Sequence, residues 1–120
     1  MKIKRKDWKW VGLPGHFIGA KNCIFRLCTI VGDYKISTVG AMYRDGKLEE
    51  VGLDRHYETM VFERDEEGEW DYQEISVAGV FAGEDLPEVG SREFGKLMLD
   101  MDEKAAKMHI DMCERYAGLE

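Results

Sequence analysis

Residues 91–120, SREFGKLMLDMDEKAAKMHIDMCERYAGLE, read as one uninterrupted helix. Apolar residues recur at Phe94, Leu97, Met98, Met101, Ala105, Met108, Met112 and Tyr116, the three-and-four spacing of a single helix face. Ser91 is a good N-cap, and Glu93 puts an acid in the first turn, where the helix dipole favours it. Asp100 with Lys104 and Glu103 with Lys107 stand i,i+4 in the favourable acid-first order. At about 1.5 Å per residue the helix would extend on the order of 40 Å. The roughly ninety residues before it make a body about 25 Å across. The spacing therefore predicts a stripe that overhangs its own domain and is covered by a second copy, as a homodimer with paired helices.

Working back from Ser91, extended segments alternate with turns. Asn22 to Ile30 is rich in β-formers, and Val31-Gly32-Asp33 connects it tightly to a returning strand, Tyr34 to Met42. Asp45-Gly46 is a strong hairpin signal leading to a short strand near Leu48 to Val51. Tyr57 to Phe62 and Trp70 to Phe81 are two further strands, joined by Glu66-Glu67-Gly68. In a strand starting near Tyr57, Glu58 and Met60 share one face, and Tyr57, Thr59 and Val61 the other. Leu13-Pro14-Gly15 is a turn, and Gly83 to Gly90 a polar loop around Pro87. The expected fold class is α+β: a small antiparallel β-domain of about five strands over 1–90, then one long C-terminal helix over 91–120, in a single domain.

Composition bounds the partners. The chain has 120 residues, 44% hydrophobic and 34% charged, with a net charge of −7. That describes a folded, soluble protein with no segment long and apolar enough for a membrane. The acidic balance argues against a duplex-DNA binder. Cys23, Cys28 and Cys113 have no framework spacing and read as free thiols of a reducing cytoplasm. Lys2, Lys4, Arg5, Lys6 and Lys9 crowd the N-terminus around Trp8 and Trp10. They form either a solvated arm beside a first strand or an arm that attracts an anion.

Few residues recommend themselves for chemistry. Arg55 leaves a turn-like segment and could grip a phosphate with its planar fork, or pair with Asp54 or Glu58. Lys21 closes a loop that could present backbone N–H groups to an anion, although Gly12, Gly15 and Gly19 match no phosphate-loop pattern. His109 and Cys113 are neighbours on the helix, but they lack the companions of a zinc site and lie poorly for a nucleophile pair. No acid/base carboxylate pair and no hydrolase motif stands out. The residues favour binding over catalysis and imply neither cofactor nor metal.

Gly15-His16-Phe17-Ile18, Cys23-Ile24-Phe25-Arg26-Leu27, Tyr34 to Gly40 and Glu50 to Phe62 together resemble a family of small phage proteins, the anti-Thoeris sponge proteins of the first described type. The helical run Ala105 to Tyr116, with its paired Ala, basic residue, His and Cys before an aromatic, is similar to that family's C-terminal pattern. The resemblance implies a viral anti-defence protein in the host cell cytoplasm. It would sequester the cyclic ADP-ribose isomer made by bacterial Thoeris systems without cleaving it. It also implies dimers or multiples of dimers with the nucleotide at the seam, and in some members cyclic oligonucleotides at a separate basic site.

Such a ligand carries phosphates, riboses and an adenine. Arg55, Lys21 and Arg26 become the candidates for phosphate. Phe17, Tyr57 and Phe94 become those for adenine. Thr38, Thr59, Asp100 and His109 become those for ribose hydroxyls. Where the family carries Asn-Asp in the helix, this chain has Asp100-Met101, so the correspondence is weakest there. The competing expectation is an acidic phage inhibitor that binds a host defence protein directly.

Overall fold

In the computed structural model, which describes residues 2–12, 15–80 and 86–118, a six-stranded antiparallel sheet carries one long helix on one face. The helix, α1, runs from Arg92 to Ala117. Ser91 caps it as its sequence position requires, its hydroxyl accepting from the Phe94 N–H at 3.1 Å. Gly118, at φ 74°, ends it in the left-handed conformation and returns its N–H to the carbonyls of Glu114 and Arg115.

The strands are β1 (Lys9–Trp10), β2 (Cys23–Val31), β3 (Tyr34–Arg44), β4 (Lys47–Glu49), β5 (Tyr57–Arg64) and β6 (Trp70–Ala78). Their order across the sheet is β1-β2-β3-β5-β6, with β4 pairing β3. Asp45 and Gly46 both take positive φ, the geometry that the hairpin signal demands. The expected end of the last strand at Phe81, the turn residues Leu13 and Pro14, and the start of the 83–90 loop lie outside the described residues. β1 went unread because two residues show no alternation; Lys9 and Trp10 pair with Ile30 and Thr29.

The strand alternation decides what the helix meets. Tyr57, Thr59 and Val61 stand opposite Gly40, Thr38 and Ile36 on one face. Ile36 and Val61 pack with Met112, Cys113 and Ala117, and Tyr57 packs with Met101 and Ala105. Burying side chains such as Phe94, Met101 and Met112 contributes about 1.5–3 kcal/mol each. Tyr57 can lie flat on the sheet because its neighbour is Gly40: a Cβ there would come within 2.0 Å of the ring.

The apolar stripe does not overhang. Phe94, Met101, Ala105 and Met112 are buried within one chain and Leu97, Met98, Met108 and Tyr116 half-buried, and the molecule is 46 Å long. Two features supply the length. β3 runs for eleven residues, and the N-terminal arm extends the platform beyond it. Trp8 packs against the end of α1, the Ile3 N–H donates to the Ala117 carbonyl at 2.8 Å, and Arg5 pairs with Glu114. The basic start is therefore pinned to the helix terminus beside a first strand. Intramolecular burial removes overhang as the ground for pairing helices between copies. Along the exposed side, Asp100 holds Lys104 at 3.1 Å, whereas Lys107 turns to Asp111 at 2.5 Å rather than to Glu103. No described helix is long and apolar enough to cross a membrane, and the three cysteines are free and buried.

A polar chain crosses the seam between helix and sheet. His109 Nε2 meets Thr29 Oγ1 at 2.8 Å and His109 Nδ1 meets Thr38 Oγ1 at 2.7 Å. Thr38 Oγ1 in turn shares a 2.6 Å hydrogen bond with Thr59 Oγ1. Burial lowers the His109 pKa to about 4, so the ring is neutral at pH 7. Between pH 6.5 and 4 the unfolded chain binds the His109 proton and the folded one does not, so stability falls as pH drops through that window. The loss amounts to roughly 3 kcal/mol. Thermal melts from pH 7 to 4 should show His109→Gln with a flatter stability profile than the parent. An unchanged profile would mean that His109 is not held neutral.

Candidate functional site

The ten residues singled out for a ligand separate onto different surfaces. Thr38, Thr59 and His109 lie together at the helix seam, buried and bonded to one another. Tyr57 is also buried there, and its hydroxyl donates to Asp102 Oδ1 at 2.7 Å. Burial, then the hydrogen bond to Asp102 and its charge, raises the Tyr57 pKa far above the usual phenol range. Phe94 is buried beside Tyr43, their ring centroids 6.3 Å apart. Asp100 lies on the outer side of α1, paired with Lys104. The seam groups are spent on the protein's own structure, and Asp102 rather than Asp100 reaches inward.

The three phosphate candidates belong to the side of the sheet away from α1. There the short helical turn Ile18–Asn22 packs Ala20 against Val39, Cys23 and Met42, with Phe17 against the same cluster. Lys21 is exposed on that turn, and Arg26 is exposed on β2 opposite Val39. Burial pushes the Cys23 thiol up to about 11, against the lowering pull of the Arg26 charge. Arg55 comes from the turn after β4. Val51 N–H donates to the Arg55 carbonyl at 3.0 Å, and the Glu50 carboxylate accepts from the Asp54 N–H at 2.8 Å. The guanidinium folds back over Gly52, where an added Cβ would meet it at 2.5 Å.

Of the two partners that the sequence offers Arg55, the structure selects Glu58; that Glu58 is buried, and that His16 stands on its other side, the sequence does not show. Glu58 is 2% exposed, and its Oε2 lies 3.5 Å from the Arg55 guanidinium and 3.6 Å from His16 Nε2. His16 Nδ1 shares a 3.0 Å hydrogen bond with Ser37 Oγ. Glu58 Oε2, His16 Nε2 and Arg55 Nε are all buried without a hydrogen-bond partner. Leaving such atoms unsatisfied is costly, and native structures seldom do it without a reason. A warning was present in the chain. Glu58 stands between Tyr57 and Thr59 in an apolar strand, and a carboxylate there must be paired if buried. His16 and Ser37 could not be linked to it by spacing.

Ser37, His16 and Glu58 have the formal order of a nucleophile, base and carboxylate. The His16–Glu58 separation of 3.6 Å is too long for the base–carboxylate hydrogen bond, however, so the order is not the geometry of a triad. Elsewhere, a groove of about 370 Å³ between β6 and α1 is lined by Ser76, Lys104, Lys107, Met108 and Arg115. Its cations already hold Asp100, Asp111 and Glu74. Unspent polar capacity therefore concentrates at Arg55, Glu58 and His16.

Arg55→Ala should destabilise the fold by about 1–3 kcal/mol, because it leaves Glu58 buried without a cation; partial exposure of Arg55 keeps this below the range for fully buried pairs. Adding Glu58→Gln should restore much of that loss. Urea unfolding of the two single variants and the double variant measures the coupling, and additive effects would show that the two groups do not interact. No protein-family model, curated protein or solved structure matches the chain, so the functional reading stands on this geometry and on the resemblance of its sequence strings.

Proposed function

We propose that the protein is a phage anti-defence protein that binds and sequesters a cyclic ADP-ribose isomer of the bacterial Thoeris system, without cleaving it. The observation that carries this reading is the set of buried, unspent polar atoms on Arg55, Glu58 and His16. Arg26 and Lys21 are exposed on the same side of the sheet. Donors that the fold does not use are free for a ligand, and a guanidinium among them suits a phosphate. Phe17, beside His16 at 5.6 Å between ring centroids, offers a flat surface for the base. Release is slow when a polar ligand is enclosed and its hydrogen bonds are fully met, and sequestration needs slow release.

The same proposal includes association of copies. β6 is an open edge strand with Tyr72 and Val77 exposed, and Leu99 is exposed on α1. A second reading, direct inhibition of a host protein, is favoured by the acidic turn at 65–69. Asp65 Oδ1 accepts from the N–H groups of Glu67 and Glu69, which fixes a presented run of acids.

Calorimetric titration with the Thoeris signal, followed by heating and chromatography, tests the proposal. The expected result is tight binding with intact nucleotide released. Arg55→Lys keeps the charge but loses the planar fork, and should weaken binding by about tenfold or more. Absence of binding, or recovery of a cleaved product, would overturn the proposal. Co-purification with a host protein in the absence of nucleotide binding would favour the second reading.

A further inference from the structure

We infer that Glu58 and His16 make the site selective for a ribose hydroxyl beside a phosphate, so that it takes a sugar phosphate and rejects bare phosphate or pyrophosphate. This rests on the nucleotide reading and adds what the buried carboxylate does within it.

The argument begins with charge. Arg55 is the cation closest to the cluster, and Glu58 Oε2 lies only 3.5 Å from it. A phosphate seated on Arg55 alone would face that carboxylate across a short, poorly solvated gap, and like charges there repel. An uncharged donor placed on Oε2 screens the two anions. It also supplies the hydrogen bond that Oε2 lacks.

His16 narrows the choice of donor. Its Nδ1 is held by the Ser37 hydroxyl at 3.0 Å, which leaves Nε2 facing Glu58 at 3.6 Å. When Ser37 donates to Nδ1, the neutral ring carries its proton on Nε2. A group that donates to Oε2 and accepts from Nε2–H then satisfies both atoms at once. A hydroxyl does both, and an ammonium does not. In a nucleotide, ribose hydroxyls stand close to phosphates.

Access follows from Arg55. Glu58 is 2% exposed and His16 1%, whereas the Arg55 side chain is 23% exposed, so of the three it is Arg55 that meets solvent. The Arg55–Glu58 contact is too long for a hydrogen bond. Swinging the guanidinium outward onto a phosphate therefore breaks no hydrogen bond; the attraction to Glu58 that it gives up is offset by the phosphate it gains and by the hydroxyl that takes its place on the carboxylate.

The test titrates the full chain with two probes, the cyclic ADP-ribose signal and inorganic pyrophosphate. The parent protein should bind the nucleotide at least about a hundredfold more tightly than pyrophosphate. Glu58→Gln should weaken the nucleotide by about tenfold and strengthen pyrophosphate, because the repelling charge is gone. That opposite movement is not expected of a purely structural role. The parent comparison needs no variant, so it stands even if Glu58→Gln folds poorly. Equal affinity of the parent for both probes would overturn the inference. So would a Glu58→Gln variant that unfolds as cooperatively as the parent yet left the two affinities unchanged or weakened both alike. If the parent bound no nucleotide, the sequestration reading would fall with it; nucleotide binding indifferent to Glu58 would remove only the selectivity.

Discussion

The structure depends on one packing constraint: α1 lays its apolar stripe along a single face of a single sheet. Phe94, Met101, Ala105, Met112, Cys113 and Ala117 are buried along it. A seam of that length would exclude polar groups unless each found a partner. The polar groups that do enter are matched in place. His109 is bonded at both ring nitrogens, Thr38 to Thr59, and Tyr57 to Asp102. The cost of burying those groups is offset by bonds that exist only when helix and sheet are docked.

That constraint assigns different roles to the two faces of β3. Ile36, Thr38 and Gly40 serve the helix seam, while Ser37 and Val39 face the turn at 18–22 and its approach. Among the described residues, the second face is covered by short segments, and the buried polar atoms left without a hydrogen bond lie there. A seam that is complete without a ligand holds the fold, and the proposed nucleotide binding draws on the polar capacity of the looser face. A related division holds along β5, where Thr59 closes the seam network and Glu58, one residue earlier, sits unsatisfied beside Arg55.

Much of this was legible in the chain. The helix could be read from its spacing and its Ser91 cap, and the alternation in β5 correctly divided Tyr57, Thr59 and Val61 from Glu58 and Met60. Local rules operate over three or four residues, and those features are local. The overhang was misjudged because helix length can be counted, whereas the length of the sheet beneath it depends on β3 and on an arm returning from Trp8. The ligand candidates were chosen by residue type, which identifies what can meet a ribose or a base but not whether that capacity is already used. Thr38 and His109 are 71 positions apart, and their bond to each other removes both from the surface. The link between His16 and Glu58 is hidden for the complementary reason: Glu58 reads as an ordinary partner of Arg55, and His16 as a loop residue, until the fold buries them together.

The most direct test is hydrogen–deuterium exchange of the protein with and without the cyclic ADP-ribose signal, read peptide by peptide. The predicted result is ligand-dependent protection of the segments around 15–22 and 50–58, with the 94–113 helix already protected and unchanged. Protection confined to the helix, with none around Arg55 and Glu58, would contradict the account by placing the ligand at the seam that the fold has already closed.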